Sequence, residues 1–183
     1  MRHFTIRTLA PVAALVLAAG LTAFQPSTLL APASVKLDDP TIVAIFDAAN
    51  TYDMETSSLA ASRGHSAAVR DFGKMLVRDH RNVRTQGRDL AASLKVTPTP
   101  PHDFALAKAH AKTMRSLRKA HGREFDRAYL QHEIDFHNAV IDAMTNTLLP
   151  AIKNAQVKDL VTKVAPAFVA HRDAAQKLLS EQK

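Results

Sequence analysis

Between Val69 and Leu94 the apolar side chains fall at Val69, Phe72, Leu76, Val83, Leu90 and Leu94, three, four or seven residues apart. That spacing is the stripe of an amphipathic helix turned toward a core. Ser66 caps this helix, and halfway along it, where more apolar residues are due, the chain reads Asp79-His80. Before it, Asp38-Asp39-Pro40 carries a capping carboxylate and a first-turn proline, predicting a helix from about Thr41 to Ser62 that stops at Gly64. Ile45, Ala48, Tyr52, Glu55 and Leu59 share one face of it.

Pro98, Pro100 and Pro101 make the stretch after Lys95 a loop. A shorter helix follows, from about Phe104 to Lys119, apolar at Leu106, Met114 and Leu117 and broken by His121-Gly122. The third long helix spans about Glu124 to Leu148 with the stripe Phe125, Tyr129, Glu133, Phe136, Val140 and Met144, and Pro150 marks its end. The fourth spans about Ala155 to Ser180 through Val157, Leu160, Val164, Phe168, His171, Ala175 and Leu178. Pro166 inside it predicts a kink or a split. The expected fold is all-α: an up-and-down four-helix bundle over 39–183, with the short extra helix between the second and third long ones.

Composition narrows the surroundings. A hydrophobic content of 46% suits a folded chain, and 5 glycines with 5% aromatics lean away from sandwiches and barrels. Arg2, His3 and Arg7, the uncharged run Leu9 to Leu21 and the small residues ending at Ala23 have the layout of a secretory signal peptide, 1–23. Cleavage is expected after Ala23, or after Ala33 as second choice. An uncleaved signal anchor is the alternative, though the apolar run is short for a span. Residues 24–38, rich in Pro, Ser, Ala and Thr, read as a linker. The expected location is periplasmic or secreted. The chain has no cysteine, which excludes disulfides, a lipoprotein anchor and thiolate ligands.

The net charge of +7 falls to about +5 once Arg2 and Arg7 are removed from the 24 basic residues set against 17 acidic ones. Arg70, Lys74, Arg78, Arg81, Arg84 and Arg88 form a basic arc opposite the apolar stripe of the second helix. It is either a solvated face or a contact for anionic lipid or another acidic envelope surface. Nucleic acid is not an expected partner, since no recognition motif is present and aromatics are few beside the arc.

The candidate chemistry lies on the seam: Glu55, Asp79, His80, Glu133, His137 and His171. Imidazoles and carboxylates from separate helices can converge on zinc, copper or iron. They can equally satisfy one another as a structural hydrogen-bond network, or face solvent. The di-iron pattern of Glu-x-x-His on two helices is missing, because Val77 and Ile134 stand where its glutamates belong. His132, nearer the edge of its face, is expected to be exposed, and His65, His102, His110 and His121 are expected at the surface. Met54, Met75 and Met144 could offer thioethers to Cu(I), but at helical spacing methionine is core filling. No phosphate loop, dinucleotide fingerprint or Gly-x-Ser-x-Gly is present.

Met54-Glu55-Thr56-Ser57-Ser58-Leu59-Ala60, Met75-Leu76-Val77-Arg78-Asp79-His80, Phe125-Asp126-Arg127-Ala128-Tyr129 with His137 eight residues on, and Val164-Ala165-Pro166 with His171 occur in that order. Over about Asp39 to Leu179 the chain resembles the exported bacterial proteins grouped as domain of unknown function 4142. The resemblance implies a ferritin-like helical bundle, an exported location and no established activity. It carries that family's recurrent Glu and His positions onto Glu55, His80, His137 and His171. Tyr52 and Ser58 depart from the small residues usual there, which bears on how closely helix one approaches its neighbours.

The function expected is that of a non-enzymatic, periplasmic bundle with a polar His/Glu centre, in envelope maintenance or stress tolerance. The first alternative is a metal-binding bundle with Glu55, His80, His137 and His171 as ligands and Asp79 and Glu133 beside them. The second is a module that docks on anionic lipid.

Overall fold

The structure, a computed structural model, describes residues 36–102 and 104–182. The expected signal peptide and most of the linker lie outside the described residues. Among the described residues five helices make up the fold and no strand occurs. Helix α1 spans Asp39–Arg63, and the Asp38 carboxylate accepts from the Thr41 N–H at 3.1 Å to cap it. Helix α2 spans Ala67–Ser93, and the Ser66 hydroxyl accepts from the Val69 N–H. Helix α3 spans Ala105–Lys119 and α4 spans Gly122–Ala143. The α-helical pattern of α4 ends five residues earlier than expected. It passes into a π-helical turn, Met144–Leu148, and a short helical turn, Leu149–Ala151. Helix α5 spans Ala155–Ser180 behind an Asn154 cap.

Pro166 does not split α5. Both Pro166 and Thr162 are exposed, so the carbonyl that the proline leaves without a partner lies on the solvated side. Among the described residues no helix is long and apolar enough to cross a membrane.

The short connection 64–66 folds α2 back along α1, and α4 pairs in the same way with α5. The two pairs meet through α2 on α5 and α1 on α4, while α3 sits against α1 and α4 at the side. Two carboxylates pin the connections. Asp126, fully buried, accepts from the His65 and Ser66 N–H groups at 2.7 and 2.8 Å. Asp39 does the same for Lys153 and Asn154 at the other end. The pairing of α1 with α2 is tight at Gly73. A Cβ there would stand 2.7 Å from the Ser57 carbonyl oxygen and 2.8 Å from the Ala61 nitrogen. Close approach on helix one is thus supplied from across the seam, with Ser58 exposed and Tyr52 half-buried off to the side.

The core is divided into two apolar clusters. One gathers Ile42, Ile45, Phe46, Val140, Met144, Val157, Val161 and Phe168; the other gathers Val69, Phe72, Leu76, Phe125, Tyr129, Leu130 and Ala175. Burying each of the large members contributes about 1.5–3 kcal/mol relative to leaving it exposed. All four long helices pass through both clusters or their margins. In the layer between the clusters, each presents polar side chains instead.

Candidate metal centre

From α1 that layer receives Asn50, Asp53, Thr56 and Ser57; from α2, His80; from α4, Glu133 and His137; from α5, His171. All are buried, and the three imidazoles form a triangle, with ring centroids 5.1 Å apart for His80–His171, 5.5 Å for His137–His171 and 5.6 Å for His80–His137. Phe168 closes one side, 5.3 Å from the His80 ring and 5.9 Å from that of His137.

Each imidazole is oriented by an acceptor on its outer nitrogen. The Asn50 side-chain nitrogen donates to the Phe46 carbonyl at 2.8 Å, which turns its amide oxygen toward His80. His80 Nδ1 therefore donates to Asn50 Oδ1 at 2.9 Å, and Nε2 points inward. His137 Nδ1 donates to the backbone carbonyl of Glu133, one turn earlier, at 2.9 Å, and its Nε2 points inward. His171 Nε2 donates to Asp79 Oδ2 at 3.3 Å, leaving Nδ1 inward. Asp53 is held by Ser57, whose hydroxyl donates to Oδ1 at 3.1 Å. That hydroxyl in turn accepts from the Tyr129 phenol at 2.9 Å, because its own proton is committed to Asp53. Burial, and then the charges of Glu133 and Asp53, push the phenol well above its ordinary range, so Tyr129 stays a donor. Thr56 donates to Glu133 Oε1 at 3.3 Å.

What remains is a ring of inward-facing ring nitrogens and carboxyl oxygens without hydrogen-bond partners. His80 Nε2, His137 Nε2, His171 Nδ1, Asp53 Oδ2 and Glu133 Oε2 are all buried without a hydrogen-bond partner. Asp53 Oδ2 lies 3.4 Å from His80 Nε2 and 3.7 Å from His137 Nε2. The ligand atoms offered by His80, His137 and His171 lie within 4.8 Å of one another, as do those of Asp53, Glu133 and His137. Each orphaned acceptor costs about 1–3 kcal/mol. Five of them would consume most of a fold stability of about 5–15 kcal/mol. A cation among them would engage several at once; a proton shared by Asp53 and Glu133 would answer one or two.

The electrostatics point the same way. Burial, and then His171, bring His80 down to about 3. Burial brings His137 down to about 4, with Asp53 pulling in the opposite direction. Both rings are therefore neutral, the form that ligates a metal. Burial raises both Asp53 and Glu133, Glu133 the more, with Asp53 as its second cause. Burial thus favours the protonated form of both carboxyls, and a divalent ion would bring them back to the ionised form. The donor types suit zinc, copper, iron or nickel. The outer acceptors Asn50, Asp79 and the Glu133 carbonyl are the supports that ligating histidines require.

The family model described as Domain of unknown function (DUF4142) matches residues 25–178. The chain belongs to this family. No curated protein and no solved structure matches it.

Of the six residues expected on the seam, the structure brings His80, His137, His171 and Glu133 to this family member's centre, with Asp79 behind His171. It does not bring Glu55. That carboxylate is 52% exposed, and its Oε2 lies 2.7 Å from His110 Nε2, on the flank of α1. The inward face of α1 is the one with Asn50, Asp53, Thr56 and Ser57, turned away from Ala48, Tyr52 and Leu59. Sequence reasoning missed Asp53, Asn50 and Ser57 as site residues. Their signal was polar residues at 50, 53, 56 and 57, a helical period on a helix whose middle lacks an apolar stripe. His110 and His132 are half-buried, not surface residues: His110 stacks on Tyr52 at 4.3 Å, and His132 lies against Phe136. Met144 is in the first apolar cluster and Met75 packs on the second, as core filling.

Proposed function

We propose that this chain binds one divalent first-row transition ion in its interior, with His80, His137, His171 and Asp53 as ligands and Glu133 beside them. The observation that carries the reading is the set of five orphaned buried acceptors facing one another. The ion would supply positive charge to the centre and join four helices across the gap between two apolar clusters. The same four helices, paired α1 with α2 and α4 with α5 and with α3 outside them, support an up-and-down, ferritin-like four-helix arrangement. The site is closed except beside His171, whose neighbour Asp79 is 29% exposed and marks the way in. Closed sites hold a metal rather than turn over substrate, which favours a non-enzymatic role.

An exported setting is part of the same proposal. It rests on Arg2, Arg7 and the apolar run to Leu21, and it makes holding a transition ion outside the cytoplasm the route to envelope maintenance or stress tolerance. The lipid-docking reading has less support, because the basic arc is largely engaged. Arg84 and Arg88 pair with Asp47, Arg78 with Asp79 and Lys74 with Asp71, while Arg70 donates to the Gly64 and His65 carbonyls.

Elemental analysis of protein purified without chelator or added metal tests the proposal, followed by stripping and titration with Zn(II), Cu(II) and Fe(II). One equivalent of metal, lost in His137→Leu, is expected. No stoichiometric metal and no stabilisation by any of the three ions would leave the buried polar layer as a structural network.

A further inference from the structure

Helix α3 does not lie flush on the bundle. Its buried residues are Leu106, Met114 and Leu117, and between its middle and α4 runs a cavity of about 720 Å³, a size typical of small-molecule sites. The walls are mainly apolar, with Leu106, Leu117, Phe136 and Val140 among them. Along α4 the lining runs from Ala128 to Val140, about 18 Å at 1.5 Å per residue. A slot of that length suits an extended alkyl chain better than a compact ring system. It opens on a different face of α4 from Glu133 and His137, so it is separate from the metal centre.

The polar groups in this slot give the ligand its sign. Helix α3 carries Lys108, Lys112, Arg115, Arg118 and Lys119 and no carboxylate. Lys112 lines the cavity while remaining exposed, the disposition of a side chain whose stem covers apolar surface and whose ammonium reaches water. His110 and His132 contribute imidazoles to the wall. Two carboxylates stand nearby, Asp135 in the wall, accepting from the neutral Gln131 amide at 2.9 Å, and Glu55, 2.7 Å from His110; the five cations of α3 outnumber them. The excess of positive charge along the α3 side of the mouth favours an anionic head over a cationic one.

From the slot and this charge we propose that the α3–α4 cleft is a second binding site, for a single-chain amphiphile with an anionic head. The head sits at the Lys112 rim and the chain lies along Leu106, Leu117, Phe136 and Val140. The shared chemistry admits two sources, a free carboxylate and a phosphate-headed lipid, and separate titrations distinguish them.

The experiment is calorimetric titration of the full chain with tetradecanoate, tetradecyl phosphate, tetradecanol and tetradecyltrimethylammonium, each below its micelle threshold. One equivalent of an anionic chain should bind at least tenfold more tightly than the cationic one, with the better head naming the source. Lys112→Glu, at an exposed position, should weaken the anionic chain at least tenfold and leave the metal content unchanged. Ala109→Trp should fill the slot and abolish binding. Absence of saturation at one equivalent, equal binding of the cationic chain, or indifference to Lys112→Glu would overturn the proposal. So would a concentration-dependent dimer that Ala109→Trp abolishes, since the cleft would then belong to a second copy.

Discussion

Asn50 never touches the centre of the site, yet it has a measurable role there. Its amide oxygen takes the Nδ1 proton of His80 at 2.9 Å, and its amide nitrogen is fixed on the Phe46 carbonyl. This keeps the His80 proton on the outer nitrogen and the lone pair on Nε2. Asn50→Leu preserves the side-chain volume approximately and removes that acceptor. In the metal-free protein the buried His80 N–H is then unpaired, which costs about 1–3 kcal/mol. The imidazole can escape by moving its proton to Nε2, next to Asp53 Oδ2 at 3.4 Å, and that closes the lone pair to a metal. Loss of such an outer support lowers metal affinity about 10–100-fold, or about 1.4–2.8 kcal/mol. The assay is zinc competition against a chromophoric chelator, with denaturant unfolding run with and without metal. Asn50→Asp keeps an acceptor at the same place and should restore affinity. A purely structural Asn50 would lower metal-free stability and leave zinc affinity at the wild-type value; that result would refute the reasoning.

Two further predictions concern the layer around the site. His80 and His137 lie below the ordinary histidine range when folded, so their contribution to stability is present above about pH 6.5 and lost as pH falls toward 4 and 3. The raised carboxyls Asp53 and Glu133 act in reverse: theirs is present below about pH 4.5 and lost as pH rises. In the metal-free protein the two trends offset. Glu133→Gln removes one of the two opposing carboxyls and should steepen the loss of stability between pH 7 and pH 5, read from denaturant melts; superimposable pH profiles for the two proteins would count against it. Gly73→Ala puts a methyl group 2.7 Å from the Ser57 carbonyl oxygen. It should destabilise the fold by about 1–3 kcal/mol by prising α1 from α2, and an unchanged melting temperature would show that the helices have room.

The helices were legible because their caps and stops are chemically explicit. Asp38, Ser66, Gly64 and the prolines after Val96 mark boundaries to within a few residues, and α2, α4 and α5 keep apolar stripes. Helix α1 misled for a physical reason. Its buried middle is Asn50, Asp53, Thr56 and Ser57, so apolar periodicity favours the flank with Ala48, Tyr52 and Leu59 and takes Glu55 inward with it. The polar layer itself is what erased the stripe. His80, His137 and His171 survived as candidates because each interrupts a stripe that is otherwise apolar. The one local sign that favours Asp53 over Glu55 is the helical period of the polar residues Asn50, Asp53, Thr56 and Ser57, and the packing of α2 at Gly73 turns that face inward. The cleft beneath α3 was not legible at all, since it arises from how far a short helix stands off its neighbour.

The most direct test is a crystal structure with data collected on both sides of the absorption edge of the bound metal. A single anomalous peak is expected in the layer between the two apolar clusters, about 2.0–2.2 Å from His80 Nε2, His137 Nε2, His171 Nδ1 and an oxygen of Asp53. Ordered water bridging those atoms, with no anomalous signal in crystals soaked with zinc, copper or iron, would contradict it.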